Sequence, residues 1–226
     1  MAKIGIYGGT FNPIHHGHLH ILRQFMEQLS LNRAILIPDR VPPHKPAHDM
    51  APAEDRLAMC QLAVKDMEGV TVSDMEMKRQ GKSYTADTLR ELKIQFPEDE
   101  LFLLMGEDMF LTVDHWYQPD VIFRCATLAG APRQDGDTKK MEEHKLVLQS
   151  LGAKVCLCRI PFLPVSSTQV RHCCCVGESI GNLVPPAVET YIYEHICMVY
   201  KRKGCVYYDK KRDFGSLHAG YPAALI

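Results

Sequence analysis

Gly8-Gly9-Thr10-Phe11-Asn12-Pro13-Ile14-His15-His16-Gly17-His18-Leu19 follows a short apolar run, Ile4-Gly5-Ile6-Tyr7. It leads into a stretch with Leu19, Leu22, Met26 and Leu29 at near-helical spacing. A strand, a glycine turn and a helix that opens with histidines form a polyphosphate site. The glycines let backbone N–H groups approach an anion closely. The helix N-terminus adds N–H groups and a partial charge of about +0.5. His15 and His18 are three residues apart, so on a helix they share a face. Gly17 is expected to leave that face open to a ligand. The pattern is neither the dinucleotide G-x-G-x-x-G nor the G-K-[ST] phosphate loop.

Outward from this stretch, strand-like and helix-like runs alternate. Strands are expected over residues 3–7, 34–37, 70–72, 101–105, 126–129 and 154–158. Helices are expected over 17–29, 53–67, 85–96, 139–151, 165–174 and 186–200. Short all-apolar strands separated by helices imply an α/β fold, a doubly wound parallel sheet covered on both faces. Ligands in such sheets bind at the carboxyl ends of the strands. The opening motif, Gly106-Glu107-Asp108 and Ser166-Ser167-Thr168 all lie at such ends, so three distant segments should meet on one rim. The reading gives one domain over 1–200 with a short helical C-terminal part. A tail over 201–226 carries six basic residues and is read as a solvated terminus, with an added strand as the alternative.

The 226 residues are 46% hydrophobic, and the formal net charge is −1. A global basic field for nucleic acid is therefore absent, and anionic substrates must be caught by local groups. No apolar run reaches the roughly 18 residues of a membrane helix. The strand that follows Met1-Ala2-Lys3 is read as leaving no room for a signal peptide, which gives a cytoplasmic expectation. In that setting the nine cysteines are expected to be reduced. Cys173-Cys174-Cys175 cannot all face one metal, and Cys156 and Cys158 should face the same side of a strand. His15, His16, His18 and His20 lack acidic ligands at zinc spacing, so no protein-held metal is expected.

A second motif is Val165-Ser166-Ser167-Thr168-Gln169-Val170-Arg171. Ser and Thr cap helix N-termini, and such an end can hold phosphate. Arg171, four residues after Ser167, can lean back towards that terminus and grip phosphate bidentately. Alone this describes many ordinary helices. Paired with His15-His16-Gly17-His18 it resembles the two-part signature of the H-x-G-H nucleotidyltransferases related to class I aminoacyl-tRNA synthetases. Within that superfamily, nearly the whole chain up to about Tyr200 resembles the bacterial nicotinate-nucleotide adenylyltransferases. The resemblance includes Pro42-Pro43-His44-Lys45, Lys82-Ser83-Tyr84-Thr85-Ala86-Asp87-Thr88-Leu89 and Met105-Gly106-Glu107-Asp108 with Trp116-Tyr117 after it. It ends with Val184-Pro185-Pro186 and Tyr191-Ile192. Two departures stand out: Pro164-Val165 precedes Ser166 where the family usually shows Asp-Ile, and Asn12 stands where many relatives carry Asp.

The resemblance implies a Rossmann-like fold and the reaction of nicotinate mononucleotide with ATP to give deamido-NAD and pyrophosphate, with Mg²⁺ accompanying ATP. The acceptor phosphate is already ionised at neutral pH, so the site must supply positioning and charge neutralisation rather than a base. His15 and His18 are the candidates for hydrogen bonds to the reacting phosphate oxygens. Arg171, Ser167 and Thr168 would hold the β- and γ-phosphates. Gly8, Gly9, Thr10, Phe11 and Gly17 would line the triphosphate path. Gly106 and Asp108, past a strand end, suit the nucleotide ribose. For the acceptor, Trp116 would stack on the pyridine ring. Thr85 and Tyr117 would present backbone N–H groups to the carboxylate, with Lys45 and Arg133 as further contacts to anionic groups. The expected partners are small molecules, with no nucleic acid and no membrane; a homo-oligomer is left open. The rivals are another adenylyl- or cytidylyltransferase of this fold, such as one acting on phosphopantetheine, and a non-catalytic nucleotide sensor.

Overall fold

The computed structural model describes residues 1–41, 50–132, 138–201 and 204–209. Six strands form one parallel sheet: β1 (Lys3–Gly9), β2 (Arg33–Pro38), β3 (Val70–Val72), β4 (Glu100–Gly106), β5 (Thr127–Ala131) and β6 (Val155–Leu157). Their order is β3-β2-β1-β4-β5-β6. The chain winds outward through β2 and β3, then returns to the other side of β1 for β4. The direction of winding therefore reverses between β1 and β4, where open α/β sheets bind ligands.

The two-residue period of a strand explains why these runs are apolar throughout. Ile4 and Ile6 of β1, Ile35 and Ile37 of β2, and Leu101, Leu103 and Met105 of β4 face one core. That face is covered by α4 (Thr85–Gln95), α5 (Glu107–Phe110), α6 (Pro119–Cys125) and α7 (Thr138–Ser150). Tyr7, Ala34, Leu36, Phe102 and Leu104 face the other core, under α1 (His16–Gln28), α2 (Ala53–Val64), α8 (Ser167–Val176) and α9 (Pro186–His195). Gly5 sits where a Cβ would come within 2.7 Å of Leu31 and 3.0 Å of Leu104, so this position of the central strand admits no side chain.

The expected strands and long helices are present. Three short elements were not anticipated: α3 (Met75–Lys78), α5 and α6. The closing helix is also shorter than expected. It ends at His195, and residues 196–200 belong to a strand, β7 (Ile196–Lys201), paired antiparallel with β8 (Gly204–Asp209). Ile196-Cys197-Met198-Val199-Tyr200 suits a strand as well as a helix, and the partner segment decides between them. The ordered-strand alternative therefore applies to the start of the tail; residues 210–226 lie outside the described ones. Among the described residues no helix is long and apolar enough to cross a membrane.

Candidate active site

The opening loop leaves β1 at Gly9 and enters α1 through His15, the helix N-cap. His18 N–H donates to His15 Nδ1 and His15 N–H donates to His18 Nδ1, each at 3.3 Å. This reciprocal box satisfies N–H groups that a helix start otherwise leaves unpaired. It also fixes chemistry. Each Nδ1 accepts a backbone proton, so each neutral ring carries its own proton on Nε2. The rings stack with centroids 3.7 Å apart, as their three-residue spacing required. Burial, with a smaller push from His16, lowers the His15 pKa to about 4. Near neutral pH His15 is an uncharged donor.

Gly17 does not play the part expected of it. It is buried, and a Cβ there would lie 3.0 Å from His15 Nδ1 and 3.0 Å from the Val165 carbonyl oxygen. The missing side chain lets the second motif close onto the first rather than opening a face to ligand. Gly8 and Gly106, at the ends of β1 and β4, are the open positions: a Cβ at either meets nothing within 4 Å. Phe11 is 2% exposed, at φ +45°, with its ring edge-on to Tyr7 and His18. Its ring is thus spent on packing inside the core.

The second motif docks where the strand-end rule placed it. Ser166 caps α8 by accepting from Gln169 N–H. Ser167 Oγ donates to the Pro13 carbonyl at 2.9 Å. Arg171 leans back as expected, donating from Nη1 to the Asn12 carbonyl and from Nη2 to Thr168 Oγ1. The substitution of Pro164-Val165 leaves this geometry intact. His16 is the first residue of α1, and its N–H donates to the Leu183 carbonyl at 2.9 Å. The His20 Nε2 lies 2.8 Å from the Pro161 carbonyl, tying α1 to the segment before α8.

A buried network missed in the sequence fixes the rest of the loop. Arg56, 1% exposed, donates to the carbonyls of Ala51, Thr10 and Arg40 and to Asp39 Oδ1. Thr10 Oγ1 donates to Asp39 Oδ2, and Asn12 Oδ1 accepts from Ala51 N–H. The available signal was Asp39-Arg40 directly after β2, on the same rim as the loop.

Among the segments expected to meet the acceptor, the Tyr84 ring lies 4.5 Å from the Tyr117 ring, which brings the Ser83-Tyr84-Thr85 turn to the segment after β4. Trp116 is half-buried against the core and donates from Nε1 to Thr112 Oγ1. Two residues earlier, Asp114 lies 3.2 Å from His144 Nε2 and ties this turn to α7. Asp108 is exposed in the first turn of α5. Lys45 and Arg133 lie outside the described residues. Among the described residues Cys60, Cys125, Cys156, Cys158, Cys173 and Cys174 are free thiols, and Cys156 and Cys158 hydrogen-bond each other as neighbours on one side of a strand. The expectation that every cysteine is reduced fails at Cys175, which is disulfide-bonded.

Paired imidazoles at a helix N-terminus beside a sheet switch point, closed by an arginine from a second capped helix, define a nucleotidyltransferase, and residues 6–173 match the cytidylyltransferase-like family model. A "Probable nicotinate-nucleotide adenylyltransferase" of Lachnoclostridium phytofermentans is 38% identical over 196 residues, covering 86% of this chain and 98% of the relative. Its counterpart in Synechococcus sp. (strain JA-3-3Ab) is 41% identical, covering 85% and 93%. The chain belongs to the nicotinate-nucleotide adenylyltransferase family. The fold is also that of the Plasmodium falciparum nicotinic acid mononucleotide adenylyltransferase complexed with NaAD (TM-score 0.69, 18% identity, 86% of this chain and 96% of that one). The same enzyme complexed with APC gives a TM-score of 0.67.

Proposed function

We propose that this protein transfers the adenylyl group of ATP to nicotinate mononucleotide, giving deamido-NAD and pyrophosphate. The observation that carries the chemistry is the His15–His18 box, which locks two Nε2–H donors at the N-terminus of α1. The acceptor phosphate oxygen attacks the α-phosphorus in line. One P–O bond forms, the bond to the β-phosphate bridging oxygen breaks, and that electron pair leaves on pyrophosphate. The nucleophile is already an anion, so no proton is abstracted and no covalent enzyme intermediate forms. His15 and His18 donate to oxygens whose charge is redistributed at the transition state.

Arg171, with Ser167 and Thr168 at the N-terminus of α8, holds the β- and γ-phosphates; its planar fork suits two oxygens at once. Gly8, Gly9 and Thr10, with the Phe11 backbone, line the triphosphate path, and Gly17 lets α8 close on it. Gly106 and Asp108 receive the ribose. Mg²⁺ takes oxygen ligands, and the opening loop with α8 offers imidazoles, hydroxyls and a guanidinium, so the ion would be held by the ATP phosphates, where it would supply charge neutralisation. Trp116 stacks on the pyridine ring, and backbone N–H groups of Thr85 and Tyr117 receive its carboxylate; the family resemblance adds Lys45 and Arg133 as contacts to anionic groups. A site of N–H donors rejects the amide, whose NH₂ cannot accept those bonds. Both substrates are soluble anions, and the enzyme acts in the cytoplasm.

The test is pyrophosphate release from ATP against a panel of acceptors: nicotinate mononucleotide, nicotinamide mononucleotide and phosphopantetheine. Turnover should require the acid form. Equal use of the amide, or a preference for phosphopantetheine, overturns this reading.

A further inference from the structure

The acceptor side contains a buried carboxylate that the reaction does not use. Glu76, on α3, is 7% exposed. Thr88 Oγ1 donates to Glu76 Oε1 at 2.6 Å, and Arg79 Nη1 donates to the same hydroxyl at 3.0 Å. The Ser83 side chain also hydrogen-bonds the carboxylate, and Ser83 Oγ accepts from Arg40 N–H at 3.1 Å. Ser83 and Thr88 are 7% and 2% exposed. Burial raises the Glu76 pKa, while its two hydroxyl partners pull it back down.

Burying a carboxylate is costly unless it is well hydrogen-bonded, and a merely structural contact here would serve as well with apolar residues. What the carboxylate holds is specific. Ser83 precedes and Thr88 follows the first turn of α4, and that turn opens at Thr85 without a side-chain cap. Glu76 therefore grips both flanks of a helix start in which the Asp87 and Thr88 N–H groups donate to the Tyr84 carbonyl and no side chain caps the turn. Arg79 pairs with Glu91 of α4 at 2.8 Å, adding a second tie between the same elements. Through Arg40, the Ser83 flank is continuous with Arg56 and Asp39.

We propose that Glu76, through Ser83 and Thr88, is the positioning residue that sets selectivity for the acid over the amide form of the acceptor. This rests on the placement of the nicotinate carboxylate at Thr85 in the function proposed above. Recognition of a carboxylate by N–H groups discriminates only while those groups cannot turn away. A turn released from Glu76 can shift and offer the amide a carbonyl instead.

The experiment compares kcat/KM for nicotinate and nicotinamide mononucleotides in the unaltered protein, Glu76→Gln, Thr88→Val and Thr88→Ser. Hydrogen bonds to a charged group contribute enough for roughly a tenfold effect each. Glu76→Gln should raise KM for the acid about tenfold and lower the acid-to-amide ratio by a similar factor, with KM for ATP and kcat within about twofold. Thr88→Val should do the same, and Thr88→Ser, which keeps the hydroxyl, should restore the ratio. If Glu76→Gln does not fold, the Thr88 pair decides. An unchanged ratio in a variant of a selective parent, or equal losses on both acceptors, overturns the inference alone. A parent that uses both acceptors equally overturns the underlying substrate reading as well.

Discussion

The two halves of the site are built differently. On the side proposed for the triphosphate the polar groups are fixed by the backbone: each histidine ring accepts a main-chain N–H, and Arg171 and Ser167 donate to main-chain carbonyls of the opening loop. On the acceptor side, segments from α3, α4 and the turn after β4 are held by side chains, through Glu76, Thr88, Tyr84, Tyr117 and the Asp114–His144 pair. Backbone-fixed groups keep their geometry when neighbours change, whereas side-chain ties can be retuned one at a time. Under the proposed function, charge stabilisation falls to the first half and choice of acceptor to the second.

The largest expected effect falls on the first half. His18→Ala removes a donor at the transition state and should lower kcat roughly 10²- to 10³-fold, with Kd for ATP little changed. A proportionate loss of ATP affinity instead would make His18 a binding group and break the division.

The His15 box should also be visible in stability. Folding lowers the His15 pKa from 6.5 to about 4. The unfolded chain takes up a proton below pH 6.5 that the folded chain refuses until about pH 4, so stability should fall across that window. The full loss is about 3 kcal/mol below it. His15→Asn keeps a capping side chain without the titration, and its urea-unfolding free energy should lack this part of the pH slope. A parallel slope in both proteins would place the lowered pKa elsewhere.

Two glycines separate packing from ligand space. Gly17→Ala forces a methyl against the Val165 carbonyl, and the melting temperature should drop by roughly 5 °C. Gly8→Ala meets no neighbour and should melt close to the unaltered protein while losing turnover. Identical behaviour of the two would remove the distinction.

The smallest effect belongs to the second half. Trp116→Ala should raise KM for nicotinate mononucleotide about tenfold or less and leave KM for ATP alone, as expected for loss of one aromatic stack. A change confined to ATP would place the tryptophan on the wrong substrate.

The strands and long helices were legible because a two-sided parallel sheet demands continuous apolar runs, and Ile4–Ile6, Ile35–Ile37 and Leu101–Met105 show them plainly. Helices of four to seven residues, such as Met75–Lys78 and Pro119–Cys125, carry too few turns for a periodic signal. The overlong closing helix came from an apolar segment with no stop signal at His195. That His15, His18, Ser167 and Arg171 lie at two helix starts on one rim was legible because their spacing is itself the geometry of a helix start. Asp39, Arg56 and Glu76 were not, since each depends on partners beyond one helical turn, such as Thr10 for Arg56, Arg56 for Asp39 and Thr88 for Glu76, at separations of 46, 17 and 12 residues.

The sequence by itself determined the order of strands and helices, the stacked histidines and the arginine that reaches back along its helix. Those depend on contacts within one or two turns, where periodicity fixes distance. Only the tertiary structure decided that Gly17 is a packing residue, that the Phe11 ring is buried against Tyr7 and His18, and that one carboxylate holds both flanks of the start of α4. Each of these depends on which distant atom lies within about 3 Å, and chain order carries no such distance.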